Sequence, residues 1–271
     1  ESADSFYLVS AGAWQRLDHD WIFRHMPRDG SVRFENLTGS MGVLVVSGPK
    51  SRALLERLCG TSLANEDFPW LSARETTVGL APARLMRVNF VGELGWEIHH
   101  GIEYQNHIFD ALVEAGGDLA LGPFGIRAMD SLRVEKSYRL IGTEMSIEYA
   151  ALESGLGRFV HPEKGEFVGR AGLLAWQERG FDNAYVTLEV HGVTDRDPLG
   201  NNPIRSEGRL VGRATSGNYG FRLQKSLALA MVRPDLAAPG TELEIEVLGD
   251  RYPATVLPES PYDPQNDRLR M

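Results

Sequence analysis

Three stretches carry residue types and spacings that could do chemistry. The first runs Arg87-Val88-Asn89-Phe90-Val91-Gly92-Glu93-Leu94-Gly95-Trp96-Glu97-Ile98-His99. Gly92 and Gly95 mark a tight turn between two strands, which brings Phe90 and the Trp96/Glu97 pair to one rim. Successive strand side chains point to opposite faces, so one of Trp96 and Glu97 faces a pocket while the other packs or is solvated. Composition alone makes Glu97 a solvated strand carboxylate. The second stretch, Arg127 to Arg139, reads as a helix with Arg127, Asp130 and Arg133 at ion-pairing spacing. The third, Thr215-Ser216-Gly217-Asn218-Tyr219-Gly220, reads as a hairpin turn that needs positive φ at glycine. The seven histidines, His19, His25, His99, His100, His107, His161 and His191, show no convergent metal-ligand spacing, and a strand sends the adjacent His99 and His100 to opposite faces. No Walker loop, dinucleotide fingerprint or nucleophile elbow is present.

The elements that must position these residues follow from hydrophobic periodicity. Phe6 to Ser10 reads as a strand and Asp18 to His25 as a short helix. Val32–Leu37 and Met41–Ser47 read as strands, and a helix opens at Gly48-Pro49. Thr76–Leu80, Ala83–Phe90 and Trp96–His99 complete an antiparallel, ferredoxin-like sheet, with Tyr104–Ala115 as its amphipathic helix. Helices follow at Phe124–Tyr138 and around Ala171–Trp176. Beyond Gly180 the texture changes to short strands at 185–191, 210–215, 227–232, 243–248 and 252–257, the pattern of a small all-β barrel or sandwich. The fold class is therefore α+β followed by all-β.

Composition removes several classes of function. The chain has 271 residues, 42% of them hydrophobic, with 28 Lys and Arg against 37 Asp and Glu for a net charge of -9. That balance argues against a general nucleic-acid or anionic-membrane binder, and no apolar run approaches a bilayer-spanning length. The single cysteine, Cys59, fits a reducing, cytoplasmic setting. The start, Glu1-Ser2-Ala3-Asp4, has neither an initiator Met nor a leader and reads as the middle of a longer protein.

Six motifs in order carry a family resemblance: GELGWEIH (92–99), RAMDSLRVEKSYR (127–139), ALESGLG (151–157), PEKGEFVGR (162–170), VGRATSGNYG (211–220) and SPYDPQNDRLR (260–270). Together they resemble the folate-binding module of the glycine-cleavage T-protein (aminomethyltransferase) family, in the version found in the C-terminal half of flavin-dependent dimethylglycine and sarcosine dehydrogenases. The resemblance implies a three-part cloverleaf. Residues 1–35 would be the remnant of a first α+β part, 36–125 the ferredoxin-like part, 126–179 a return to the first part as a wall of the folate channel, and 180–271 the C-terminal barrel.

The resemblance also implies site residues. Glu97 would grip the 2-amino group and N3–H of a pterin, a donor pair that a carboxylate meets with two parallel hydrogen bonds. Phe90 stands where the family usually has a tyrosine, keeping the ring without its hydroxyl. Tyr138 matches a pocket-lining tyrosine, although read alone it is a core residue at a helix end. Arg158 replaces an aromatic residue, either stacking its guanidinium on the pterin or turning to water. The family's catalytic aspartate would lie upstream of Glu1, so no catalytic residue is assigned.

The expected cofactor is tetrahydrofolate, with FAD only on a flavin domain outside this sequence. Expected partners are the reduced folate, a small iminium derived from an N-methyl amine, an upstream flavin domain or separate N-terminal chain, and an oligomeric copy covering sheet edges. The activity implied is capture of the iminium carbon as 5,10-methylene-tetrahydrofolate. A stand-alone folate-dependent demethylase and a non-catalytic folate-binding or oligomerisation module are the alternatives. Glu166 stands where related iron–sulfur assembly regulators carry a cysteine, which argues against that third use of the fold.

Overall fold

The alternating run Met41–Ser47 becomes a strand only where it finds a ladder to join, and it finds one along a single edge, against Gly95–Gly101. The structure is a computed structural model and describes residues 2–271. It divides into two units, Glu1–Ser40 and Met41–Met271.

In the first unit a 3-10 turn leads into helix α1 (Gln15–His25). His19 packs on Phe23 with ring centroids 4.3 Å apart, and both rings meet Phe34. Two expected strands do not form: Phe6–Ser10 and Val32–Leu37 belong to no strand. β-branched and aromatic content makes a stretch able to pair, but a strand exists only where a ladder is available to join.

The second unit begins with strand β1 (Met41–Ser47), followed by the short helix α2 (Ser51–Leu55), strands β2 (Ala73–Val78), β3 (Ala81–Met86) and β4 (Gly95–Gly101), and helix α3 (Gln105–Ala115). The strands form one sheet in the order β1-β4-β3-β2, with every pairing antiparallel. Val46, Trp96, Ile98, Leu85, Ala83 and Val78 share its inner face and pack on Leu54, Leu55, Ile108 and Leu112 from α2 and α3. The opposite face carries Val43, Val45, Met86, Arg84, Glu97 and His99, in cross-strand register.

Helix α4 (Ile126–Glu135) is shorter at both ends than the periodicity suggests. Its last turn closes when Ser137 takes a left-handed φ of 57°, so the amide of Tyr138 returns to the Arg133 carbonyl. Turns and 3-10 pieces lead to α5 (Arg170–Arg179). The rest is a closed antiparallel barrel of β5 (Ala184–Val190), β6 (Pro203–Ser206), β7 (Arg209–Gly220), β8 (Lys225–Val232), β9 (Glu242–Val247) and β10 (Asp250–Leu257), in the order β10-β5-β8-β7-β6-β9. Val186, Leu188, Ala228, Ala230, Ile245 and Val256 fill it. A short helix, α6 (Asp267–Arg270), ends the chain.

The stretch Thr215–Gly220 is strand rather than turn: it forms the far half of β7, paired with β8, and the connection falls at 221–224. Its glycines answer to space, not to φ. A methyl group on Gly217 would collide with the Pro198 carbonyl, and one on Gly220 would sit 2.8 Å from Glu135 Cγ. Among the described residues no helix is long and apolar enough to cross a membrane.

Candidate functional site

Strand alternation decides between Trp96 and Glu97. Trp96 is wholly buried on the inner face, while the Glu97 side chain keeps 28% of its surface exposed on the other. Directly across β1 from Glu97 is Val45, itself about half exposed, so the carboxylate is flanked by open apolar surface. Oε2 of Glu97 lies 3.0 Å from Nε2 of the buried His99, two residues along the same face. The other oxygen, Oε1, has no hydrogen-bond partner among the described residues. A carboxylate has about four lone-pair positions, so one neighbour leaves this one able to receive a second donor group.

The turn before Glu97 is built by Asn89. Its Oδ1 accepts from the amides of Val91 and Gly92, each at 3.0 Å, and its Nδ2 donates to the Glu93 carbonyl. Gly92 sits at φ 72°, and a Cβ there would run into the Lys136 side chain. Phe90 enters this turn with its ring stacked on that of Tyr138, centroids 6.0 Å apart and planes 18° from parallel. Two of the four residues singled out in the sequence thus form one aromatic wall. Burial pushes the Tyr138 hydroxyl above the usual tyrosine range; the Arg158 charge opposes that shift and Asp263 adds to it. Arg158 therefore lies within electrostatic reach of Tyr138, yet its own side chain is exposed and its guanidinium rests 4.7 Å from the centre of the Phe159 ring.

Beneath this wall α4 buries two of its charges, Arg133 and Glu135, each with a partner. Arg133 Nε donates to Asp130 at 2.5 Å, which realises the expected ion pair, and its other nitrogens reach Ser216 Oγ and the Tyr138 carbonyl. Arg127 is exposed and has no part in this network. Glu144, wholly buried, lies 3.7 Å from Arg133 and accepts from Ser216, Thr215, Thr143 and the amide of Leu140. Burial pushes the Glu144 carboxyl up, but these hydrogen bonds outweigh it and leave it below the ordinary glutamate value of 4.5.

Sequence reasoning passed over Glu93, His99, Lys136, Glu144 and Tyr262. His99 had been weighed only as a metal ligand. Glu93 lies inside the glycine turn and Tyr262 inside the last motif, so both were in view, but their contact spans 169 positions of sequence.

The profile described as GCVT N-terminal domain matches residues 2–164, and the one described as glycine cleavage T-protein C-terminal barrel domain matches 184–263. An aminomethyltransferase of Desulfitobacterium hafniense is 30% identical over 267 residues, which covers 97% of this chain and 71% of that enzyme. The chain belongs to the glycine-cleavage T-protein family. Human mitochondrial dimethylglycine dehydrogenase is 35% identical over 261 residues, 96% of this chain but only 30% of that protein, so the chain spans less than a third of such relatives. In three dimensions the T-protein fold is matched by the glycine cleavage aminomethyltransferase of Bartonella henselae, with a TM-score of 0.72 at 23% identity over 82% of this chain and 60% of that one. The α+β chain with a closed C-terminal barrel is thus a T-protein fold, as the six motifs implied.

Proposed function

We propose that this chain is the tetrahydrofolate-binding, one-carbon-transfer module of an enzyme that resembles dimethylglycine and sarcosine dehydrogenases. The observation that carries the reading is the partly exposed Glu97 carboxylate, held at one oxygen by His99 and, among the described residues, open at the other, beside uncovered apolar surface of the same sheet. A pterin edge offers an amino group and a ring N–H side by side, and an anchored carboxylate accepts both. The flat ring system suits the Phe90–Tyr138 wall. The residues present fit a reduced folate on these two counts.

When bound, the folate supplies the nucleophilic N5 and the N10 that together accept the carbon of an iminium; the released amine carries away both N–H protons. The part played by this chain is to bind and orient. Glu97 fixes the pterin edge, and Phe90 with Tyr138 gives it a face, which turns an encounter between two solutes into a reaction between held groups. Arg158, in the water-facing position described above, adds positive charge near the wall and is a candidate contact for the anionic part of the folate. The flavin oxidation that makes the iminium belongs, in this proposal, to an FAD domain or a separate chain upstream. The single Cys59 fits a reducing compartment, and the cytoplasm is proposed.

Calorimetric titration of the chain with tetrahydrofolate under anaerobic conditions tests the reading. The parent chain is expected to bind, and Glu97→Ala to lose at least about a hundredfold in affinity, the effect of removing a charge-assisted donor–acceptor pair. Equal affinity in the two proteins would sink the assignment. Formation of methylene-tetrahydrofolate from sarcosine by the complete enzyme separates a catalytic module from one that only binds.

A further inference from the structure

The closing motif, Ser260 to Arg270, has no place in the folate reading so far. Its path gives it one. The Ser260 amide donates to Ser137 Oγ at 3.0 Å, and its hydroxyl to the Lys136 carbonyl at 2.9 Å. The Tyr262 amide reaches the Glu135 carbonyl at 3.1 Å. The tail therefore lies along the segment that leads from α4 to Tyr138.

From the same place Tyr262 reaches the glycine turn. Its hydroxyl donates to Glu93 Oε1 at 2.8 Å, the atom that also receives Arg222 Nη1 at 2.8 Å. The Arg222 guanidinium covers the Tyr262 ring at 3.6 Å from its centre and pairs on its other side with the buried Glu135. Lys136 locks the assembly: its ammonium, wholly buried, donates to the carbonyls of Tyr262 and Asp263 at 3.2 and 2.7 Å and to Asn266 Oδ1 at 2.8 Å. A buried cation without such partners is strongly unfavourable, so the tail is bound to this spot by the charge it satisfies.

Both members of the aromatic wall hang from this node. Phe90 is three residues before Glu93 on a turn closed by Asn89, and Tyr138 is two residues after Lys136. We infer that Tyr262 is a positioning residue of the folate site: by tying Glu93 to the segment after α4, it sets Phe90 against Tyr138 and so fixes the surface on which the pterin lies. The inference rests on the folate reading above. It gives the last motif a role in ligand affinity, not only in holding the fold.

Tyr262→Phe isolates the tie, since it keeps the ring under Arg222 and the backbone bonds to Glu135 and Lys136 and removes only the bond to Glu93. Titration of the 271-residue chain with tetrahydrofolate at 25 °C, with melting temperatures measured in parallel, is the experiment. Tyr262→Phe is expected to weaken binding about tenfold, the effect of one hydrogen bond to a charged group. Glu93→Gln keeps an acceptor for the hydroxyl but loses its charge and is expected to bind more weakly than the parent and more tightly than Tyr262→Phe, while Glu93→Ala reproduces the loss and Tyr262→Phe adds nothing to it. Parent-like affinity in Tyr262→Phe, whatever its melting temperature, overturns the inference, as does full additivity of Glu93→Ala and Tyr262→Phe. Glu97→Ala runs beside them as the reference. If it binds like the parent, or if the parent does not bind, the folate reading itself falls; if it alone loses binding, only the role of Tyr262 does.

Discussion

Glu144 shows how a buried acid ties stability to pH. Its carboxyl is depressed in the fold by four hydrogen-bond donors despite burial, so the unfolded chain takes up a proton more readily than the folded one. The stabilisation it provides is complete above the ordinary glutamate value and fades as pH falls through the lower value of the folded state. Melting temperatures of the parent chain are therefore expected to drop steeply below about pH 4.5, and those of Glu144→Gln to drop less over the same range. At pH 7 the same variant leaves the Arg133 guanidinium with one fewer counter-charge and is expected to be less stable by about 3 kcal/mol. A Glu144→Gln melting profile parallel to that of the parent from pH 3 to pH 7 would show that the carboxylate is not the source. Of these residue-scale features, alternation separates Trp96 from Glu97 without choosing between them, the family resemblance singles out Glu97, and helical spacing discloses the Asp130–Arg133 pair. Glu144 was not legible, because its partners Thr215 and Ser216 are 71 and 72 positions away and only the barrel brings them near.

At the scale of elements, most periodic segments could be read, while one short strand and one glycine-bearing stretch of the barrel could not. α3, β1 and four of the barrel strands lie where their patterns put them, and β7 begins where expected but runs on to Gly220. β6 escaped notice because Pro203–Ser206 is four residues long and opens on a proline, the composition of a loop. The Thr215–Gly220 stretch misled for a different reason. Glycine marks a turn when φ must be positive, but here it marks crowding, with the Pro198 carbonyl against Gly217 and the Glu135 side chain against Gly220. The two causes give the same letter. Gly217→Ala separates them by size of effect: at a turn of positive φ it costs about 1 kcal/mol of backbone strain, whereas in β7 the methyl must displace the Pro198 backbone. It is expected to lower stability by about 2 kcal/mol or more, read as a shift in the denaturant midpoint at unchanged slope. The Tyr262 tie belongs to this class too, since no local pattern announces that a tail will return to a turn formed in the first half of the chain.

Over the whole molecule burial is uneven. None of the described residues from 2 to 40 is buried, whereas seven of the eight residues of β8 are. Backbone amides protected only by local hydrogen bonds open far more readily than those in a filled barrel. Amides of α1 are accordingly expected to exchange with deuterium at least a hundredfold faster than those of β8 in the isolated chain. Equal protection would show that the first unit is secured by more than its own helix. The barrel has a weak place of its own. β6 and β9 close it through only two register pairs, Ile204 with Ile245 and Arg205 with Glu244, with Arg205 also 3.7 Å from Glu246. A ring of strands has no edge while that seam is shut and gains two when it opens. Brief parting of β6 from β9 would expose matching unpaired backbones on every copy, so crowding or warming is expected to drive this protein into strand-exchanged aggregates along that seam before the rest of the barrel has loosened.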